Sequence, residues 1–202
     1  MKTDEQMKVD RDDAIKEARE ILSYEYCILD TETTGLYNAQ MCQIAVLHKD
    51  GKQFKSLVKP TIPIEVGASN VHHITDEMVK DAPDALQVLM QSAIIDKPVV
   101  IYNAPFDTKV IRQSLDALNS GLVVTFSTVR DAMQIYSKFR GEWNDYYQNY
   151  RWHKLEAACN QCGIIIDVDL HDAMSDVIMT ERLLKYIAEQ KLSMEVEDVT
   201  KD

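Results

Sequence analysis

Asp30 and Glu32 stand two residues apart in the run Asp30-Thr31-Glu32-Thr33-Thr34-Gly35, at the end of a short apolar stretch. In an extended strand, residues i and i+2 project from the same face, so these carboxylates lie side by side. Paired carboxylates at the end of a buried strand repel each other and lose hydration. A hard divalent cation such as Mg²⁺ or Mn²⁺ relieves both costs. A solvated strand-end turn is the plainer reading of the same residues. Asn103-Ala104-Pro105-Phe106-Asp107 follows a second apolar stretch, at a strand-to-helix junction where α/β proteins gather ligand-binding groups. An Asp in the first turn of a helix is also common for its favourable dipole alone. The run His171-Asp172-Ala173-Met174-Ser175-Asp176 supplies an imidazole and another carboxylate. A spacing of five on a helix is about 140° of rotation. His171 is therefore expected on the turn before a helix and Asp176 on the helix proper, where it can join Asp30 and Glu32.

The elements that must position these residues are legible in the period of the apolar pattern. Residues 4–22 repeat apolar side chains at three- and four-residue spacing (Met7, Ala14, Ile15, Ala18, Ile21, Leu22), which predicts an amphipathic helix. Residues 24–31, 42–48 and 52–58 read as three consecutive strands, the last two joined at Asp50-Gly51 as a hairpin. Beyond Pro60 and Pro63, residues 84–94 are helical, 99–102 a buried strand, 105–118 helical and 122–126 a last strand. Residues 128–136, 153–162 and 170–188 complete the helices. A three-strand meander followed by alternating helices and strands predicts an α/β domain with a mixed five-stranded sheet and helices on both faces. The chain divides into an N-terminal helix at 1–23, one domain at 24–188 and an acidic tail at 189–202.

The 202 residues carry 33 acids against 22 bases, a formal −11, with 46% hydrophobic and 27% charged residues. Such a composition excludes wholesale disorder, collagen-like repeats and a disulfide-stapled miniature. Four cysteines without an apolar leader fit reduced thiols in the cytoplasm, and Cys159-x-x-Cys162 reads as two buried helix cysteines. The acidity argues at first against a nucleic-acid partner. Its distribution removes the objection: the two ends are acidic, four acids belong to the motifs above, and residues 97–154 carry eight bases against five acids. Weak, salt-sensitive binding to a polyanion remains compatible. Residues 136–152 hold seven of the 15 aromatics, interleaved with Lys138, Arg140 and Arg151 and followed by Lys154. Either an aromatic minicore or contact between copies accounts for this segment, or bases stack on rings such as Trp143.

The three motifs, in this order and spacing, resemble those of the DnaQ-like 3′–5′ exonucleases, the DEDDh branch of the ribonuclease-H-like superfamily. Asp30, Glu32, Asp107, His171 and Asp176 match the five residues that name the branch. Val71-His72-His73-Ile74-Thr75 is similar to a short His-x-Ile-Thr signature between the first two motifs. Gln43 stands where glutamate is frequent, and Tyr102 where many members have histidine.

The resemblance implies a ribonuclease-H-like fold and two Mg²⁺ or Mn²⁺ ions held by Asp30, Glu32, Asp107 and Asp176, with Asp107 acting partly through water. It implies His171 as general base, its ordinary pKa near ~6.5 suiting neutral pH. The reaction implied is hydrolysis of terminal phosphodiesters of single-stranded DNA or RNA 3′ ends, DNA favoured, releasing nucleoside 5′-monophosphates. Thr33, Thr34, Gly35, Phe106, Asn103 and Trp143 are the candidate substrate-binding residues, Asn103 more as a buttress than a contact. RNA 3′-end trimming and a non-catalytic nucleic-acid-binding or polymerase-docking module are the alternatives. Association with a polymerase or into a homodimer is left open, and no membrane span is expected.

Overall fold

The computed structural model describes residues 2–119, 121, 123–168 and 172–193. Thr3 starts the first helix, α1 (Asp4–Ser23): its hydroxyl accepts from the Gln6 N–H, and the Gln6 side chain accepts from the Thr3 N–H. The stripe Ala14, Ile15, Ala18 and Ile21 is buried, so the predicted amphipathic face packs into the body rather than facing water.

Five strands form the sheet: β1 (Cys27–Thr33), β2 (Met41–His48), β3 (Gln53–Leu57), β4 (Pro98–Ile101) and β5 (Thr128–Asp131), in the order β3-β2-β1-β4-β5. β1–β2 and β2–β3 pair antiparallel, while β1–β4 and β4–β5 pair parallel. The expected mixed α/β sheet is therefore present. The β2–β3 turn closes at Gly51, whose φ of +85° a side chain would resist, with the Gly51 N–H donating to the His48 carbonyl at 2.8 Å.

Strand alternation sorts the core onto two faces. Ile28, Ala45, Leu47 and Val100 meet α1, α6 (Ala132–Arg140) and α8 (Ala173–Ala188). Cys27, Leu29, Ile44, Val46, Val99 and Ile101 meet α4 (Ala85–Gln91) and α5 (Ala104–Ala117). Helices thus cover both faces. Two short helices, α2 (Val66–His72) and α3 (Asp76–Val79), fill residues 66–79, where sequence periodicity indicated none. A small hairpin of β6 (Trp143–Asn144) and β7 (Asn149–Tyr150) occupies the aromatic segment, and α7 (Leu155–Gln161) precedes α8. Cys159 is buried on α7 and Cys162 half-buried just beyond it, both as free thiols.

The last strand differs from expectation. Residues 123–126 form no strand, and Leu122 lies outside the described residues. The four-residue ladder of β4 begins at Pro98, opposite Thr128, so the fifth strand is Thr128–Asp131, four residues that the periodicity assigned to a helix. Val124 and Phe126 still pack on the core, but from a loop whose Thr125 carbonyl accepts from the Asp96 N–H. The helix then starts at Ala132, capped by Asp131 Oδ1 accepting from the Met133 and Gln134 N–H groups. His171 and residues 194–202 of the acidic tail also lie outside the described residues. No helix among the described residues is long and apolar enough to cross a membrane.

Candidate active site

The two faces of β1 divide the candidate residues between two helices. Asp30 and Glu32 share the face that looks toward α8; Thr31 and Thr33 share the other, toward α5. Asp176 sits in the first turn of α8, so a buried strand and a helix N-terminus converge. Ligand oxygens of Asp30, Glu32 and Asp176 lie within 4.8 Å of one another, all half-buried. Asp107, in the first turn of α5 and 3% exposed, approaches from the other face. Its Oδ1 accepts two hydrogen bonds from Thr31, from the backbone N–H at 3.0 Å and from the hydroxyl at 2.7 Å.

Four carboxylates this close cannot all stay ionised in a dry setting without a counter-charge. Burial, followed by the charges of Asp107, Asp176 and Glu32, holds Asp30 well above the ordinary carboxylate range. Burial, followed by Asp176 and Asp107, pushes Glu32 up to about 8, and Lys55 only partly opposes this. Asp107 is pushed up to about 7 by burial, against the two hydrogen bonds from Thr31 that pull it down. Hard oxygen donors, a 4.8 Å cluster and uncompensated negative charge fit a divalent cation of the Mg²⁺ class.

Three groups outside the motifs hold this arrangement, and none was assigned a role from sequence. Gln43 Oε1 accepts from the Ala173 N–H at 3.2 Å, fixing the start of α8. Lys55 on β3 pairs with Asp172, the residue that precedes α8. His72 is buried, with its Nδ1 accepting from the Ile74 N–H at 3.0 Å. That bond leaves the proton on Nε2, which lies 3.1 Å from the Thr33 carbonyl and donates to it. The short signature around His72 was the available signal; its lack of a neighbouring carboxylate hid its link to β1.

A cavity of about 430 Å³ opens beside Glu32, lined by Thr31, Thr33, Gly35, Glu65, Val71 and Phe106 among others. Thr34 is buried and does not line it: its N–H donates to the Gln40 carbonyl at 2.9 Å and its hydroxyl accepts from the Gln40 N–H at 3.0 Å. The Thr33 hydroxyl donates to the Gly35 carbonyl at 2.7 Å, so both threonines shape the turn. Asn103 is the left-handed residue (φ 68°) that caps α5, and its N–H donates to Asp131 Oδ1 at 3.2 Å. It borders a second cleft, of about 380 Å³, with Asp30 and Asp176.

Trp143 does not reach either opening. Its ring meets Tyr150 edge-on at 5.1 Å, the Lys2 ammonium lies 4.8 Å from its centroid, and its N–H donates to Asp145. Trp152 borders the second cleft instead.

An acidic cluster thus stands at the end of the central strand of a mixed five-stranded sheet, with a cavity adjoining it. The sequence profile of the RNase T family, an exonuclease family, matches residues 27–184. The "Uncharacterized exonuclease CP81" of Escherichia phage 186 is 35% identical over 179 residues, covering 85% of this chain and 92% of that protein. The DNA polymerase III subunit epsilon of Buchnera aphidicola subsp. Schizaphis graminum is 29% identical over 134 residues, 58% of each chain. Among solved structures, Exonuclease X in complex with 5′ overhanging duplex DNA superposes with a TM-score of 0.63 at 21% identity, covering 87% of this chain and 99% of that one. E. coli Exonuclease I in complex with a dA16 oligonucleotide gives 0.62 at 17% identity, covering 87% and 42%. The chain belongs to the RNase T exonuclease family. It is an exonuclease enzyme acting on nucleic acid, of a divalent-metal-dependent class.

Proposed function

We propose that this exonuclease removes nucleotides one at a time from the 3′ ends of single-stranded nucleic acid, DNA in preference to RNA, releasing nucleoside 5′-monophosphates. The observation that carries the reading is the convergence of Asp30, Glu32 and Asp176 within 4.8 Å, with Asp107 held by Thr31 at their side. Asp30, Glu32 and Asp176 would hold one Mg²⁺ or Mn²⁺, and Asp30 with substrate phosphate a second, with Asp107 supporting both. What such ions supply when bound is charge stabilisation at the attacking and leaving oxygens of an in-line displacement.

The rest falls to the chain itself. His171 accepts the proton of the attacking water at a ring nitrogen, a task for which an imidazole near ~6.5 is suited at neutral pH. The cavity bounded by Thr33, Gly35 and Phe106 receives the terminal nucleotide, with Phe106 offering an apolar surface to its base. Thr34 and Asn103 shape the turn and the α5 cap rather than touch substrate. A cytoplasmic setting is supported by four cysteines that are all free. A role beside a polymerase is supported by the epsilon-subunit relatives.

A time course on 5′-labelled single-stranded DNA and RNA with Mg²⁺ tests the reading, with Asp30→Ala alongside. A ladder of strands shortened from the 3′ end, faster on DNA and absent in Asp30→Ala, is expected. Faster shortening of RNA would establish 3′-end trimming instead, and no ladder from either would leave a non-catalytic binding module.

A further inference from the structure

The second cleft meets the carboxylates from a different side than the Phe106 cavity, and the two share no lining residue. Its mouth carries an indole and a cation: Trp152, 64% exposed, and Lys154. The chain on either side of Trp152 is pinned. The Arg151 N–H donates to the Glu142 carbonyl at 2.8 Å, and the His153 carbonyl accepts from the Tyr102 hydroxyl at 2.7 Å. The His153 ring is buried edge-on against Tyr136 at 5.5 Å. A backbone hydrogen-bonded on both sides thus holds a large apolar ring in water at the edge of an acidic site, and no aromatic ring contact to it is found among the described residues. A nucleotide brings what both groups lack, a π face for the indole and a phosphate for the ammonium.

We propose that Trp152 and Lys154 form a second nucleotide subsite, which takes the nucleotide on the 5′ side of the scissile phosphate. The proposal rests on the exonuclease reading above. The base stacks on the Trp152 indole, and the phosphate on the 5′ side of that nucleotide meets Lys154. Trp152 also borders a neighbouring cavity lined by Lys2, Asp10 and Lys138, along which the strand continues away from the carboxylates. The arrangement makes Trp152 and Lys154 binding residues for strand length and register, not for the terminal unit. Trp143, whose ring is already engaged by Tyr150 and Lys2, lines that neighbouring cavity and not the subsite.

Two measurements on the full chain test this. First, KM is compared for a single-stranded oligonucleotide and for the p-nitrophenyl ester of thymidine 5′-monophosphate, which has no nucleotide at the proposed subsite. Trp152→Ala is expected to raise the oligonucleotide KM relative to the ester KM by about tenfold, within the range of base stacking on an aromatic ring, and Trp152→Phe to restore most of it. An abasic unit at the penultimate position should cost the wild type a similar factor and cost Trp152→Ala nothing further. An equal effect on both substrates, or an undiminished abasic penalty in Trp152→Ala, would overturn the subsite. Second, Trp143→Phe leaves Trp152 as the only tryptophan. Its fluorescence should be quenched by a single-stranded oligonucleotide in EDTA, and absence of quenching would equally reject the proposal. Failure of the exonuclease reading shows separately, as no shortened strands from wild type with Mg²⁺.

Discussion

Gln43 and Ala173 are joined by a 3.2 Å hydrogen bond, from the first N–H of α8 to the side-chain carbonyl of a β2 residue. In the sheet Gln43 is the cross-strand partner of Glu32. One side chain, on the strand paired with β1 at Glu32, therefore ties the sheet beside two of the clustered carboxylates to the helix that carries the third. An amide suits this task because its oxygen accepts from the backbone without adding a fifth negative charge to the cluster.

Replacing Gln43 with alanine should loosen α8 against β1. The expected cost is about 1 kcal/mol of stability, with a rise of about tenfold in the Mg²⁺ concentration giving half-maximal nucleotide release. Thermal melting and a Mg²⁺ titration of the hydrolysis rate check both. A Gln43→Glu variant, which keeps the acceptor and adds charge, should retain the melting temperature of the Mg²⁺-bound protein more closely than Gln43→Ala.

The raised carboxylates give the metal-free protein a definite pH dependence. Glu32 is held at about 8 and Asp107 at about 7 in the folded chain, with Asp30 also raised. Unfolded, these groups titrate near ~4. The folded state thus binds more protons across that interval, so stability is greatest below the unfolded values and is lost as pH rises through 7 to 8. In EDTA, the melting temperature should fall by at least about 5 °C between pH 5 and pH 8. Mg²⁺ should restore it, because ions bind the folded cluster and not the unfolded chain. Asp30→Asn should flatten the slope. A melting temperature in EDTA independent of pH over this range would count against the repulsive cluster.

Gly35 shows how closely the turn after β1 approaches α2. A Cβ placed there would lie 2.5 Å from the Glu65 carboxylate, at the wall of the Phe106 cavity. Glu65 is exposed and its carboxylate can swing away, so Gly35→Ala should fold while altering the wall. The expected result is a KM for single-stranded DNA raised by about three- to tenfold, relieved in Gly35→Ala/Glu65→Ala, as coupled neighbours require. Steady-state kinetics on the four variants of that cycle decide it.

His72 is expected to be structural for the same turn. Its removal strands the buried Ile74 N–H and leaves the Thr33 carbonyl without its imidazole partner. His72→Ala should cost about 2–3 kcal/mol, measured by denaturant unfolding.

Much of this architecture was legible in the chain. Strand alternation placed Asp30 and Glu32 on one face, and the Asp50-Gly51 turn placed β3 beside β2. The helix carrying Asp176 followed from its apolar period. The fifth strand was misplaced because Val124 and Phe126 bury like strand residues from a loop, while Thr128–Asp131 becomes a strand only by pairing with β4. A four-residue ladder partner carries no period of its own. The choice between Trp143 and Trp152 was beyond sequence reasoning for a similar reason. Which ring stays exposed depends on Lys2 and Tyr150, one of them more than 140 positions away along the chain. His171, central to the proposed proton transfer, lies outside the described residues.

The most direct test of the account is the Mg²⁺ dependence of nucleotide release from single-stranded DNA by wild type and Asp176→Asn. No release from wild type is expected in EDTA, and a saturable rise is expected with Mg²⁺. Asp176→Asn, lacking the carboxylate that α8 brings to Asp30 and Glu32, should stay at least about 100-fold slower at saturating Mg²⁺. Wild-type rates from Asp176→Asn, or release undiminished by EDTA, would contradict it.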